Sequence, residues 1–142
     1  MLLDNGVDLH SFQPTAGDIM KISDADLFIY VGGESDEWIE DALKEAVNKD
    51  MVVINLLETL GDSVKEEEIV EGMEAKENEE EPDEDGQEEI EYDEHVWLSL
   101  RCASALTDSI AKSLETIDSA NADLYRRNAD AYITKLSDLD KK

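Results

Sequence analysis

The chain has 142 residues, long enough for one domain with a real hydrophobic core. It carries 12 Lys and Arg residues against 38 Asp and Glu residues, for a formal net charge of -26 at pH 7. A charge this negative repels nucleic acid and anionic lipid headgroups, so neither is an expected partner, whereas cations are attracted. No apolar run in the sequence approaches the ~20 residues that a membrane-spanning helix needs.

The N-terminal part alternates apolar, β-rich runs with amphipathic stretches. Thr15 and Asp18 have the spacing of a capping box, which predicts a short helix over about 16–24. Ser35 is the predicted cap of a second helix that runs to about Lys49. Three strands are predicted: the end of one at 1–3, a buried one at Asp26–Val31 and another at Met51–Asn55. Strands joined through a helix by short connections form a βαβ unit, so we predict an α/β fold with a parallel sheet.

Between residues 65 and 94 the composition changes to a run dominated by Asp and Glu. Such a run has almost no apolar side chains to bury, so burial cannot offset the conformational entropy that the chain would lose on ordering. We therefore predict a solvated, disordered loop that is mobile from about Lys65 to Tyr92. Two interpretations stay open. The loop either collects cations near a binding site or contributes only solubility, and carboxylates alone favour hard ions such as Ca²⁺ and Mn²⁺.

Helical periodicity returns after the acidic loop. Ser99 is the predicted cap of a helix to about Thr116. Cys102, the single cysteine, falls on the apolar face of that helix, so we predict a buried structural thiol. A second amphipathic helix is predicted from about Ser119 to the end of the sequence, with a length of about 35 Å at 1.5 Å per residue.

His10 and His95 are the candidate metal ligands and the two histidines of the sequence. Both fall in loops beside predicted strands or helices, and neutral imidazole is the commonest nitrogen ligand of zinc. Their positions alone also fit two ordinary loop histidines. The sequence has no Ser-His-Asp set and no phosphate-binding loop after Gly32-Gly33, so we predict that the chain is not an enzyme. A hydrolytic two-histidine site with Asp93 or Glu94 as the base is the weaker interpretation.

Three motifs follow one another in the chain. The first is a Gly-x-x-x-His-x-Phe-x-Pro-Thr loop from Gly6 to Thr15, the second is DEHVWLS from Asp93 to Ser99, and the third is NADAYITKLSDLD at 128–140. Together they resemble the solute-binding proteins of zinc and manganese ABC importers, a family that includes adhesin-like lipoproteins. The stretches Ala25–Phe28 and Gly32–Trp38 are also similar to that family. Leu9 and Leu100 depart from it, since many relatives have proline at these positions.

The resemblance implies that His10 and His95 bind a divalent transition metal, Zn²⁺ or Mn²⁺. It also implies an extracytoplasmic protein, at the cell surface or in the periplasm, that is anchored to the membrane and delivers the metal to an ABC permease. The alternative is an acidic interaction or cation-buffering protein without a specific transport role.

The family's first strand, membrane anchor and second lobe, which supplies a further histidine and a carboxylate, are expected to lie outside these 142 residues. The expected organisation is a partial N-terminal α/β lobe at 1–64, the acidic loop at 65–94, a return to the lobe at 95–118 and an interlobe helix at 119–142. Without the first strand and the second lobe, such a piece is expected to form a homo-oligomer, a dimer or larger, or else to rearrange its sheet.

Overall fold

The computed structural model of the chain describes residues 12–64 and 92–142. In chain order, the helices and strands of these ranges are α1 Ala16–Ser23, β1 Leu27–Tyr30, α2 Trp38–Lys44, β2 Val52–Asn55, α3 Leu56–Leu60, α4 Leu100–Ile117 and α5 Ala122–Asp140. The strand predicted at 1–3, the loop around His10 and nearly all of the predicted acidic loop lie outside the described residues. The division of the chain at 64, 94 and 118 therefore stays a prediction.

The capping box at the start of α1 forms as the sequence predicts. The Thr15 hydroxyl oxygen accepts the Asp18 N–H, and the Asp18 carboxylate accepts the Thr15 N–H at 3.1 Å. Hydrogen bonds from the Thr15 hydroxyl and from the Lys21 ammonium lower the pKa of Asp18 to about 2. Two local side chains thus satisfy backbone groups that the first turn of a helix otherwise leaves unpaired.

The two described strands are parallel, which confirms the predicted α/β fold. Their register runs from Leu27 opposite Val52 to Tyr30 opposite Asn55. Ile54 is buried, but Ile29 of β1 is 36% exposed. The prediction of a buried strand at Asp26–Val31 is therefore wrong for part of β1, because the other described elements cover only some of its side chains.

The helix predicted from Ser35 to Lys49 is shorter in the structure. The chain first makes a 3-10 turn at Glu34–Asp36, and α2 begins only at Trp38 and ends at Lys44. The N-cap of α2 is Glu37 and not Ser35, which lies inside the 3-10 turn and donates its N–H to the Glu94 carboxylate. After α2 the chain bonds to the end of α1, because the Asn48 N–H donates a hydrogen bond to the Ser23 carbonyl oxygen at 3.0 Å.

Two groups of apolar side chains pack the described part of the molecule. Ile22 of α1 and Ile39 of α2 are the largest fully buried side chains. The second group, called the Leu106 cluster below, contains buried Leu60, Val96 and Leu106, with Leu56, Leu57, Val64 and Cys102 packed against them. Cys102 is only half-buried, so the prediction of a buried thiol is wrong in degree although the side chain does pack against apolar neighbours.

Helices α4 and α5 form a hairpin through a 3-10 turn at Ser119–Asn121. The Ser99 side chain caps α4 as predicted, by accepting the Cys102 N–H. With 19 residues, α5 is about 28 Å long at 1.5 Å per residue. It is shorter than predicted because the 3-10 turn takes up the residues before Ala122 and the helix ends at Asp140. Arg126 of α5 forms ion pairs with two carboxylates of α4, Asp108 at 2.6 Å and Glu115 at 2.8 Å. Neither helix, nor any other in the described ranges, is long and apolar enough to cross a membrane.

Candidate metal centre

The candidate site lies where β1 and β2 end. After β1 the chain passes through Val31, Gly32 and Gly33 into the 3-10 turn, and β2 ends at Asn55. The Asn55 side chain caps α3 by accepting the Glu58 N–H at 3.1 Å. The carboxyl ends of parallel strands are the edge at which α/β sheets bind ligands.

The loop after β1 needs two consecutive glycines. Gly32 and Gly33 have φ values of 90° and 82°, which side chains with a Cβ rarely adopt. A Cβ on Gly32 would also lie 2.5 Å from the Asn55 side-chain oxygen, and a Cβ on Gly33 would collide with the Glu94 carboxylate. The loop backbone therefore packs directly against the side chains of Asn55 and Glu94 and leaves no space for a Cβ at either glycine.

Two buried carboxylates hold this loop. The Asp36 carboxylate accepts the N–H groups of Val31 at 2.9 Å and Gly32 at 3.0 Å, and the Glu94 carboxylate accepts the Ser35 N–H at 3.0 Å. The two side chains belong to residues that are 7% and 8% exposed. Burial raises the pKa of Asp36, and the negative charge of Glu94 raises it further, while the two backbone N–H groups act in the opposite direction.

His95 directly follows Glu94 and pairs with Asp93. The Asp93 carboxylate accepts the His95 N–H at 2.9 Å, and the same oxygen lies 3.0 Å from the imidazole Nδ1. The ring also packs against Trp97, with centroids 5.6 Å apart, and the side chain is 48% exposed. In the tautomer that donates Nδ1–H to Asp93, Nε2 is the nitrogen that can bind a metal.

A carboxylate on the far nitrogen of an imidazole is a frequent partner of metal-bound histidine, because it fixes the tautomer and raises the basicity of the ring. The Asp93–His95 pair therefore fits a zinc ligand. Among residues 12–64 and 92–142, no group of three or more His, Cys, Asp or Glu side chains is placed to hold a metal ion together. The second predicted ligand, His10, lies outside the described residues, so the predicted pair of His10 and His95 stays a prediction.

The end of the His10 loop is nevertheless fixed near this edge. Phe12, two residues after His10, packs against Trp38 at the start of α2, with ring centroids 6.0 Å apart. Since α2 follows the loop after β1, this contact brings the chain just beyond His10 to the same end of the lobe.

Sequence reasoning missed Asp36 and placed Glu94 at the end of a solvated acidic run. In the structure Glu94 is buried and bonded to a residue 59 positions away. The sequence contains no local signal for that bond. The nearest hint is that Gly33 directly precedes an acidic turn, because a glycine can mark a place where the backbone approaches another segment closely.

The chain is similar in sequence to known zinc-binding proteins. The family model described as zinc-uptake complex component A, periplasmic, matches residues 1–142. The zinc-binding protein AdcA of Streptococcus pyogenes is 32% identical over 145 residues, covering 99% of this chain and 28% of that protein. The chain thus spans just over a quarter of the length of this relative.

Solved structures of the same group share the fold. The metal-dependent lipoprotein YcdH from Bacillus subtilis superposes with a TM-score of 0.72 at 28% identity, over 99% of this chain and 44% of that one. The Zn(II)-bound AdcA structure from Streptococcus pneumoniae gives a TM-score of 0.69 at 29% identity, over 99% of this chain and 26% of that one. The lobe described above is therefore similar to part of proteins that bind metal.

Proposed function

Because this chain belongs to the family of periplasmic zinc-uptake component A, we propose that it binds a divalent transition metal outside the cytoplasm, at the cell surface or in the periplasm. The metal is cargo that passes to a membrane ABC permease, and the protein is held at the membrane as a lipoprotein. The observation that carries the proposal is the Asp93–His95 pair at the carboxyl edge of the parallel sheet. The role is binding and transfer, without a catalytic step.

Within the proposal, His10 and His95 are the metal ligands of these 142 residues. Zinc binds imidazole nitrogen at roughly 2.0–2.1 Å, so the two rings approach to within about 4 Å when the metal is bound. The contact of Phe12 with Trp38 supports this placement. Imidazole ligands suit zinc better than manganese, which prefers carboxylate and water oxygens, and we therefore propose zinc as the principal metal and manganese as the alternative.

Two imidazoles supply half of a tetrahedral zinc site. We therefore expect the 142-residue chain alone to bind zinc weakly, with water or nearby carboxylates in the other positions. The experiment is calorimetric titration of zinc into the chain, with excess Ca²⁺ present to occupy sites built from carboxylates alone. His10→Ala and His95→Ala should each remove most of the remaining signal.

The controls separate this proposal from cation buffering by the acidic run, which the net charge of -26 would favour. Since the sequence has two histidines, both imidazoles can be followed by NMR during the titration. Under the proposal both rings shift with zinc and neither shifts with Ca²⁺. Zinc binding that is unchanged in both alanine variants would contradict the proposal and favour the acidic buffering protein.

We also propose that the chain forms a homo-oligomer through the α4–α5 hairpin. Leu124, Tyr132 and Leu139 of α5 are 42%, 52% and 52% exposed, which is a large apolar exposure for one helix. Like charge opposes association, so light scattering should show more association as added salt screens the repulsion. A monodisperse monomer at every salt concentration would contradict this part of the proposal.

A further inference from the structure

The Glu94 carboxylate joins two segments that are far apart in sequence but adjacent at the candidate site. It accepts the Ser35 N–H at 3.0 Å, across 59 residues of sequence. It also lies against Gly33, where a methyl group would collide with it. The residue is 8% exposed, which is rare for glutamate unless the carboxylate has bonding partners.

The position of Glu94 in the chain gives this contact a consequence for metal binding. Glu94 directly precedes His95, and the buried Val96 follows in the Leu106 cluster. His95 is therefore fixed on its two sides, by a polar contact at Glu94 and by apolar packing at Val96. Its own ring is half exposed, and these neighbours hold the segment in addition to the contacts of His95 with Asp93 and Trp97.

We propose that Glu94 is a positioning residue of the metal site. It acts through the backbone: its bond to Ser35 and its packing on Gly33 hold the His95 segment against the loop after β1. It makes no contact with the metal. This inference rests on the proposed function, because positioning matters for binding only if His95 is a ligand.

Buried carboxylates are costly to desolvate, and apolar packing alone would fix the segment without that cost. Glutamate here accepts a backbone N–H in a loop whose own glycines leave no side chain to pack. Asp36 already holds the start of that loop through the Val31 and Gly32 N–H groups. Glu94 adds the contact that joins the loop to the ligand segment, at a place where glycine restricts the backbone least.

The test uses three variants of the whole chain, titrated with zinc in excess Ca²⁺. Glu94→Ala should weaken zinc binding about 10–100-fold, as loss of a partner that orients a metal ligand does. Glu94→Gln keeps an acceptor oxygen for the Ser35 N–H and should stay within about threefold of the original affinity. Glu45→Ala removes one exposed carboxylate outside the site and controls for the loss of charge. Its zinc affinity should be unchanged.

Two further readouts distinguish positioning from general stability. Amide exchange at Ser35 should accelerate in Glu94→Ala and stay slow in Glu94→Gln. The NMR signals of the His95 ring should broaden or shift in Glu94→Ala before any metal is added. Circular dichroism then verifies that each variant is folded.

The results distinguish failure of the positioning role from failure of the proposed function. If His95→Ala abolishes specific zinc binding while Glu94→Ala leaves it unchanged, the positioning role is wrong and the proposed function stands. If Glu94→Gln is as weak as Glu94→Ala, the charge of Glu94 acts rather than its hydrogen bond, and the positioning role is again wrong. If His10→Ala and His95→Ala both bind zinc normally, the two proposals fail together.

Discussion

Leu106 is the side chain whose truncation most directly tests the packing beneath the candidate site. It is 5% exposed and lies in one cluster with Leu60 and with Val96, the residue after His95. Leu106→Ala removes three buried carbons, worth about 2.5 kcal/mol at roughly 0.8 kcal/mol each. The cavity left behind adds to this, so we expect a loss of about 3–4 kcal/mol in the free energy of unfolding.

Urea unfolding followed by circular dichroism measures this loss. Urea is preferable to guanidinium chloride, because a salt would screen the repulsion among charges that sum to -26. Leu98→Ala is the matched control: it makes the same change in the turn before α4, where the side chain is 72% exposed, and should cost less than about 1 kcal/mol. Equal losses in the two variants would show that the Leu106 cluster does not carry the stability assigned to it.

Two other predictions concern charged groups. Arg126→Ala removes the ion pairs between α5 and α4. Because Arg126 is 33% exposed, the variant should lower the free energy of unfolding slightly at low salt and by less in concentrated salt. A cost that is independent of salt in urea unfolding would point to lost packing instead. The pKa of Asp18 is lowered from 3.8 to about 2, so its contribution to stability is present above about pH 4 and is lost as the pH falls towards 2. Thr15→Ala should raise that pKa, as measured by NMR titration, and cost about 1 kcal/mol of capping energy; an unchanged pKa would contradict the assigned cause.

The elements predicted correctly from sequence are those whose causes are local. The capping box of Thr15 with Asp18 and the cap at Ser99 each depend on residues three positions apart, and both form. The parallel pairing of β1 with β2 follows from two apolar strands joined through a helix, a pattern that is also contained in a short stretch.

The errors arose where a distant residue competes with a local preference. Ser35 has the side chain of a helix cap, but its N–H donates to Glu94 and the chain makes a 3-10 turn before α2 begins. Glu94 itself has the sequence surroundings of a solvated acidic run, yet it is buried. Neither effect can be found in a window of a few residues, because the two partners meet only when the fold is complete. The candidate site was predicted through His10 and His95, whereas the groups that hold its loop came only from the structure.

X-ray absorption at the zinc edge tests the central claim most directly. The chain is loaded with one equivalent of zinc in excess Ca²⁺, and the ligands are identified from their scattering. Two imidazoles, His10 and His95, should coordinate the metal at roughly 2.0–2.1 Å, and His95→Ala should remove one of them. A first shell made only of oxygen atoms, and unchanged in His95→Ala, would contradict the account and place the zinc on the carboxylates of the chain.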